Sequence, residues 1–286
     1  MPQRNGRPTL LSLYNHAFSD NFPSLAHVAE LADAYGSGPY GETRGGSSPL
    51  VSKGQGMESS FTQQEPTTIQ HLFAQIADRY DLANTLLSLG MDSAWRAYVS
   101  ARITRWAPND ILDLATGSGV LAEAMTKRIP AARVVGADFC APMLVVARRR
   151  GIKELVVADG LALPFIMQGF DVVTIAFGLR NMASYEKALS EVRRVLRTGG
   201  RIVVLDFSLP GPPLLPLYRL YLHHFLPLFA GWITGKPEAY RYFSQSIEGF
   251  PKGEAMLELL RAGGFGNCEA KPLSLGIVTV YVGQKV

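Results

Sequence analysis

The chain has 286 residues, of which 47% are hydrophobic and 18% charged, with a formal net charge of +4. That balance excludes a disordered polyelectrolyte and can fill the core of one large domain or two small ones. No block of five or more basic residues occurs, so the mild basicity gives no sign of nucleic-acid binding, and Arg148-Arg149-Arg150 reads as a solvated helix end.

Two cysteines, Cys140 and Cys268, stand far apart, and no Cys/His spacing suits zinc, so no metal site is expected. Unlinked thiols fit a reducing compartment. No uninterrupted apolar run reaches the roughly 18 residues of a membrane span. The stretch "PTLLSLY" after Arg4 and Arg7 is too short and polar for a secretory signal.

Residues 1–56 differ from the remainder. A short helix is predicted around "FPSLAHVAELADAY", followed by the Gly/Ser/Pro-rich "YGSGPYGETRGGSSPLVSKGQG", which reads as linker or disorder. The functional domain is expected over 57–286, with the upstream part an appendage or an over-extended start. From Thr68 to Ile103 apolar residues recur at helical spacing (Ile69, Leu72, Phe73, Ile76), interrupted at Gly90, which predicts two or three covering helices.

Strand-like and helix-like segments then alternate. Strands are predicted at "DILDLA", "RVVGAD", "ELVVAD", "FDVVTIAFG" and "GRIVVLDF", and helices at "VLAEAMTKRI", "APMLVVARRR" and "SYEKALSEVRRVL". Near-continuous apolar strands separated by helices imply a parallel sheet covered on both faces, hence an α/β doubly wound fold. The end, "NCEAKPLSLGIVTVYVGQKV", holds two strand-like runs linked by Ser274-Leu275-Gly276. So short a link makes an antiparallel hairpin, because a parallel return needs a dozen residues or more.

Gly117-Ser118-Gly119 follows the first strand and opens a helix, so its backbone can approach a ligand closely. Asp138 ends the next strand, placed to accept both hydroxyls of a ribose or to cap the helix at "CAPML". These features suit an adenosine-bearing ligand and leave NAD and S-adenosylmethionine open. Three others favour S-adenosylmethionine. Asp113 would oppose a pyrophosphate but suits a cationic methionyl group. Asp159 and Gly160 end the third strand, where a carboxylate can accept from an adenine amino group and a glycine leaves room for its ring. The terminal hairpin is unlike the second half of a dinucleotide domain.

The motifs "IADRYDLANTLLSLGMDSAWR", "ILDLATGSG", "ADGLALPF", "AFGLRNM", "EVRRVLRTGGRIVVLDFS", "YRYFSQSIEGFP" and "LGIVTVYVGQK", over Thr68 to Lys285, resemble the ubiquinone/menaquinone biosynthesis C-methyltransferases. "FGLRN" and Tyr240 to Pro251 are the most specific. The resemblance implies a class I methyltransferase with a seven-stranded, mostly parallel sheet, its last strand antiparallel, under an N-terminal helical cover. It implies cofactor contacts at Ser118, Asp138, Asp159 with Gly160, and Ala176. Ala176 stands where a serine is frequent and Val120 where an aspartate is common, so Ala176 offers backbone or packing but no hydroxyl.

The implied reaction moves a methyl group from S-adenosylmethionine to a ring carbon of a polyprenyl quinol, most directly demethylmenaquinol. A ubiquinone-pathway quinol, another small-molecule acceptor, or cofactor binding without turnover are the alternatives. Arg180 is the candidate to hold an oxyanion by paired hydrogen bonds, Asn181 to orient a hydroxyl or water, and Tyr80 to bond the ring or relay a proton. Tyr242 and Ser246 are candidate pocket-lining residues, and His223 and His224 read as helix-face residues. Pro213 to Thr234 is apolar but broken by prolines, a lid that could receive the prenyl tail. The expected location is cytoplasmic, transiently at the inner membrane face; homo-oligomerisation stays open.

Overall fold

The computed structural model describes residues 90–226 and 237–286, together with Thr85 and Ser88. The extension 1–56, the start of the domain at Met57, the segment around Tyr80 and the Tyr242 side chain lie outside the described residues.

Seven strands form one sheet: β1 (Asp110–Leu114), β2 (Arg133–Asp138), β3 (Glu154–Val157), β4 (Phe170–Ala176), β5 (Leu196–Phe207), β6 (Phe265–Leu273) and β7 (Val278–Lys285). Their spatial order is β3-β2-β1-β4-β5-β7-β6. The first five run parallel, and β7 pairs antiparallel with both β5 and β6. The hairpin therefore enters the sheet at β5 and closes its edge, as the short link at Ser274–Gly276 requires.

Helices α1 (Met91–Thr104), α2 (Val120–Arg128) and α3 (Ala141–Arg149) cover one face. There Trp95, Val99 and Ile103 meet Leu121, Met125, Leu144 and the sheet residues Ile111, Val203 and Val280. Helices α4 (Tyr185–Val195) and α7 (Glu254–Ala262) cover the other. Their Leu189, Val192, Met256 and Leu260 bury Leu112, Leu114, Val173 and Ile175. Odd and even positions of β1 thus feed opposite layers, the period-2 rule at work in a sheet buried on both sides.

Between them, α5 (Leu214–Leu220), a π-helical turn (Tyr221–Phe225) and α6 (Pro237–Gly249) build a roof beyond the end of β5. Tyr218, Leu222, Leu226 and Ile247 form its core, with Phe207 and Phe243 against it. One boundary differs from expectation. Leu196, read as the end of a helix, instead begins β5, four residues before the expected "GRIVVLDF". Gly199 takes φ 77, and a Cβ on Gly200 would lie 2.8 Å from the Arg197 carbonyl oxygen, so the strand starts through a glycine irregularity that hydrophobic pattern does not reveal.

Candidate active site

In an open sheet of parallel strands, ligands bind beyond the carboxyl ends where strand order reverses. Here that point lies between β1 and β4. An open cavity sits there. Its lining comes from the loops after β1, β2 and β4, and from α1.

The loop after β1 is tightly specified. Gly117 and Gly119 have φ 56 and 81, in the left-handed region. A Cβ on Gly119 would stand 2.9 Å from the Ala147 Cβ, so this glycine also lets α2 approach α3. Ser118 is buried and lines the cavity. Ala115 and Phe177, the residues just after β1 and β4, also take positive φ, 55 and 59, without being glycine. Such strain costs on the order of 1–3 kcal/mol and clusters at functional sites. Gly178 fits between them because any Cβ there would come within 2.4 Å of the Ala115 Cβ.

Asp138 lies at the cavity with one oxygen accepting from the Gly117 N–H at 2.8 Å and the other from the Cys140 N–H at 2.9 Å. It thus braces the backbone just ahead of α3 and also faces the cavity. Each oxygen retains a lone pair for a ribose hydroxyl. Asp113 accepts from the Thr116 and Thr174 hydroxyls at 2.7 and 2.5 Å. Burial raises Asp113 to about 6, against those two hydrogen bonds and the nearby Arg96 charge. Burial likewise raises Asp138 to about 6, opposed by its backbone donors and assisted by the Asp113 charge.

The other expected contacts divide. Ala176 and Asn181 line the cavity. Asp159 and Gly160 do not: Asp159 is exposed and accepts from the Leu161 N–H at 2.9 Å. The space over Gly160 holds the Met182 side chain, 3.0 Å from where a Cβ would sit. Ser246 donates to the Phe243 carbonyl within its own helix at 2.8 Å. His223 sits on an exposed helix face, 3.3 Å from Glu248.

Arg180 is buried beside the cavity rather than in its lining. One Nη1 donates to the Phe177 carbonyl at 2.5 Å and to Asp206 at 2.8 Å. Its guanidinium lies 5.5 Å from the Phe207 ring centroid and 5.0 Å from that of Phe243. Its Nε and the second Asp206 oxygen have no partner among the described residues. Burial raises the Asp206 carboxyl, against the Arg180 charge. Asp206 and Arg96 both escaped sequence reasoning. Arg96 reaches the cavity from α1, held by Asp92 at 2.5 Å. Its only sequence signal is an Asp-x-x-x-Arg pair on one helix face.

The model of the ubiE/COQ5 methyltransferase family matches residues 61–285. The chain belongs to that family. A demethylmenaquinone methyltransferase of Thermus thermophilus is 48% identical over 220 residues, covering 75% of this chain and all of its own. One of Deinococcus radiodurans is 40% identical, covering 78% and 95%. A ubiquinone/menaquinone biosynthesis C-methyltransferase of Dinoroseobacter shibae is 35% identical, covering 76% and 90%. The fold also matches solved methyltransferases. A possible histamine N-methyltransferase of Thermotoga maritima superposes with TM-score 0.54 at 17% identity, covering 76% and 99% of the two chains. Human N-acetylserotonin methyltransferase, solved in complex with SAM, gives 0.53 at 16%, covering 78% and 59%.

The protein is thus a methyltransferase dependent on S-adenosylmethionine. Its residues fit that donor. The cavity offers acceptors at Asp113 and Asp138, a cation at Arg96, and the backbone of the glycine loop. When bound, the donor supplies an electrophilic methyl group on a sulfonium.

Proposed function

We propose that this methyltransferase methylates a ring carbon of a polyprenyl quinol, with demethylmenaquinol as its substrate. The observation that carries this reading is Arg180: a buried guanidinium, flanked by the Phe207 and Phe243 rings, whose Nε has no partner among the described residues. The unclaimed edge of the guanidinium suits an oxygen of the quinol ring as its charge grows.

A quinol ring carbon is a weak nucleophile. It gains electron density as the neighbouring hydroxyl loses its proton; the new C–C bond replaces the methyl group's C–S bond, leaving S-adenosylhomocysteine, and the ring carbon then gives up its hydrogen as a proton. Arg180 holds the oxyanion, a contact of the kind worth about 10²–10³ in rate. Asp206 fixes Arg180, and Asn181 orients the hydroxyl or a water from the cavity wall. Tyr80, on the segment before α1, relays the proton. Asp159 and Gly160 receive the adenine after Met182 shifts aside.

A polyprenyl tail stays in lipid, at about 0.8 kcal/mol per buried methylene. No helix among the described residues is long and apolar enough to cross a membrane. The proposed enzyme therefore works from the membrane surface, on the cytoplasmic side. Exposed apolar side chains support this: Leu217, Leu220 and Phe225 on the roof, and Met91 and Leu275 beside it. Leu275 lies in the turn before β7, whose first residue pairs with Phe207 at the end of β5, so it sits at the cavity end of the sheet. Deleting the gene and profiling cellular quinones tests the substrate: demethylmenaquinone should accumulate, and an unchanged quinone profile would reject it.

A further inference from the structure

Among the described cavity-lining residues Arg96 is the sole cation, facing two carboxylates that a cationic ligand would require. Its placement is built rather than incidental. The side chain is 10% exposed, and Asp92 one turn earlier holds Nη1 at 2.5 Å. Below it the Phe177 ring lies 5.4 Å from the guanidinium carbon, and that ring is held there by a positive-φ backbone and by Trp95 and Phe207 at centroid distances of 6.2 and 4.7 Å. A guanidinium has five N–H donors, and Asp92 is its one hydrogen-bond partner among the described residues.

Charge complementarity says what those donors are for. The donor's amino-acid end carries an ammonium, a sulfonium and a carboxylate. Asp113 and Asp138 serve the positive and hydroxylic parts and would repel the carboxylate. We propose that Arg96 binds the methionyl carboxylate of S-adenosylmethionine through its planar pair of N–H donors, making α1 part of the cofactor site. The carboxylate then bridges the N-terminal cover to the glycine loop, so ligand occupancy tightens α1 against the sheet. The proposal rests on the cofactor assignment above.

Calorimetry with the full-length protein tests it, using S-adenosylhomocysteine and its decarboxylated analogue S-adenosyl-3-thiopropylamine. The analogue keeps the nucleoside and the amine but lacks the carboxylate. Wild type should prefer S-adenosylhomocysteine by on the order of ten- to a hundredfold, the value of a charge-assisted hydrogen-bond pair. Arg96→Met should erase that preference by weakening S-adenosylhomocysteine while leaving the analogue within about twofold, and Arg96→Lys should restore part of it. The wild-type ratio and Arg96→Lys carry the test if Arg96→Met does not fold. Equal wild-type affinity for the two ligands, or a preference that survives in both variants, would overturn the proposal. Equal weakening of both ligands would reduce Arg96 to a packing role. Binding of neither ligand by wild type would instead sink the cofactor assignment, and this proposal with it.

Discussion

Replacing Asp138 with asparagine should separate what the carboxylate does for the cofactor from what it does for the fold. Raising a carboxyl from 3.8 to about 6 penalises the charged form in the native state by on the order of 3 kcal/mol. The sign follows. A carboxyl raised on folding stabilises the fold below its unfolded value near 3.8, and that stabilisation is lost as pH rises through about 6. Wild type therefore carries the penalty at pH 7.5, and the neutral asparagine does not. Against this, the amide NH₂ must face one of the two backbone donors, Gly117 or Cys140, at a cost of about 1–3 kcal/mol. The two effects nearly cancel, with a net gain of at most about 2 kcal/mol. The melting temperature at pH 7.5 should stay level or rise by a few degrees, and the variant's advantage should shrink towards pH 4. Affinity for S-adenosylhomocysteine should fall by about tenfold or more, because one ribose hydroxyl loses its charged acceptor. Differential scanning fluorimetry at both pH values, with calorimetry at pH 7.5, reads each arm. A fall of more than about 5 °C at pH 7.5 would refute the electrostatic bookkeeping. Unchanged affinity would remove Asp138 from the cofactor site.

The same carboxylates predict a proton linkage. A cationic ligand favours ionised Asp113 and Asp138, both raised to about 6, so binding near pH 6 should release protons and affinity should decline below that pH. Calorimetry in buffers of different ionisation enthalpy measures the release; none at pH 6 would contradict the shifts. Arg180→Lys keeps a cation beside Asp206 but loses the paired edge, so kcat should fall about 10²–10³-fold with unchanged S-adenosylhomocysteine affinity. Unaltered turnover would take Arg180 out of the reaction. Asp206→Asn strands a buried guanidinium and should cost about 3–5 kcal/mol by denaturant unfolding; a loss under 1 kcal/mol would show the ion pair is not holding Arg180. Changing Leu217, Leu220 and Phe225 together to glutamine should reduce co-sedimentation with anionic vesicles while leaving S-adenosylhomocysteine binding intact; undiminished sedimentation would place the membrane contact elsewhere.

The sheet was legible because its signals are local. Apolar runs such as "DILDL" and "FDVVTIA" end in turn residues, and the four residues 274–277 between the last strands admit only a hairpin. The glycine loop was legible for the same reason: Gly117 and Gly119 both occupy left-handed positions. What sequence could not supply is long-range or strained. Arg180 meets Asp206 across 26 residues, and neither residue type announces the other. Ala115 and Phe177 adopt positive φ although their chemistry disfavours it, so no turn rule flags them. Arg96 looks like half of an ordinary surface ion pair until α1 is laid over the cavity. Met182 over Gly160 shows the reverse case, a motif whose expected opening is filled by a neighbour from another loop.

Methyl transfer by the purified protein is the most direct test. With radiolabelled S-adenosylmethionine and demethylmenaquinol in detergent micelles, label should appear in menaquinol, matched by an equal yield of S-adenosylhomocysteine. If the donor binds and label never reaches the quinol ring, while another acceptor takes it up, the quinol assignment is wrong.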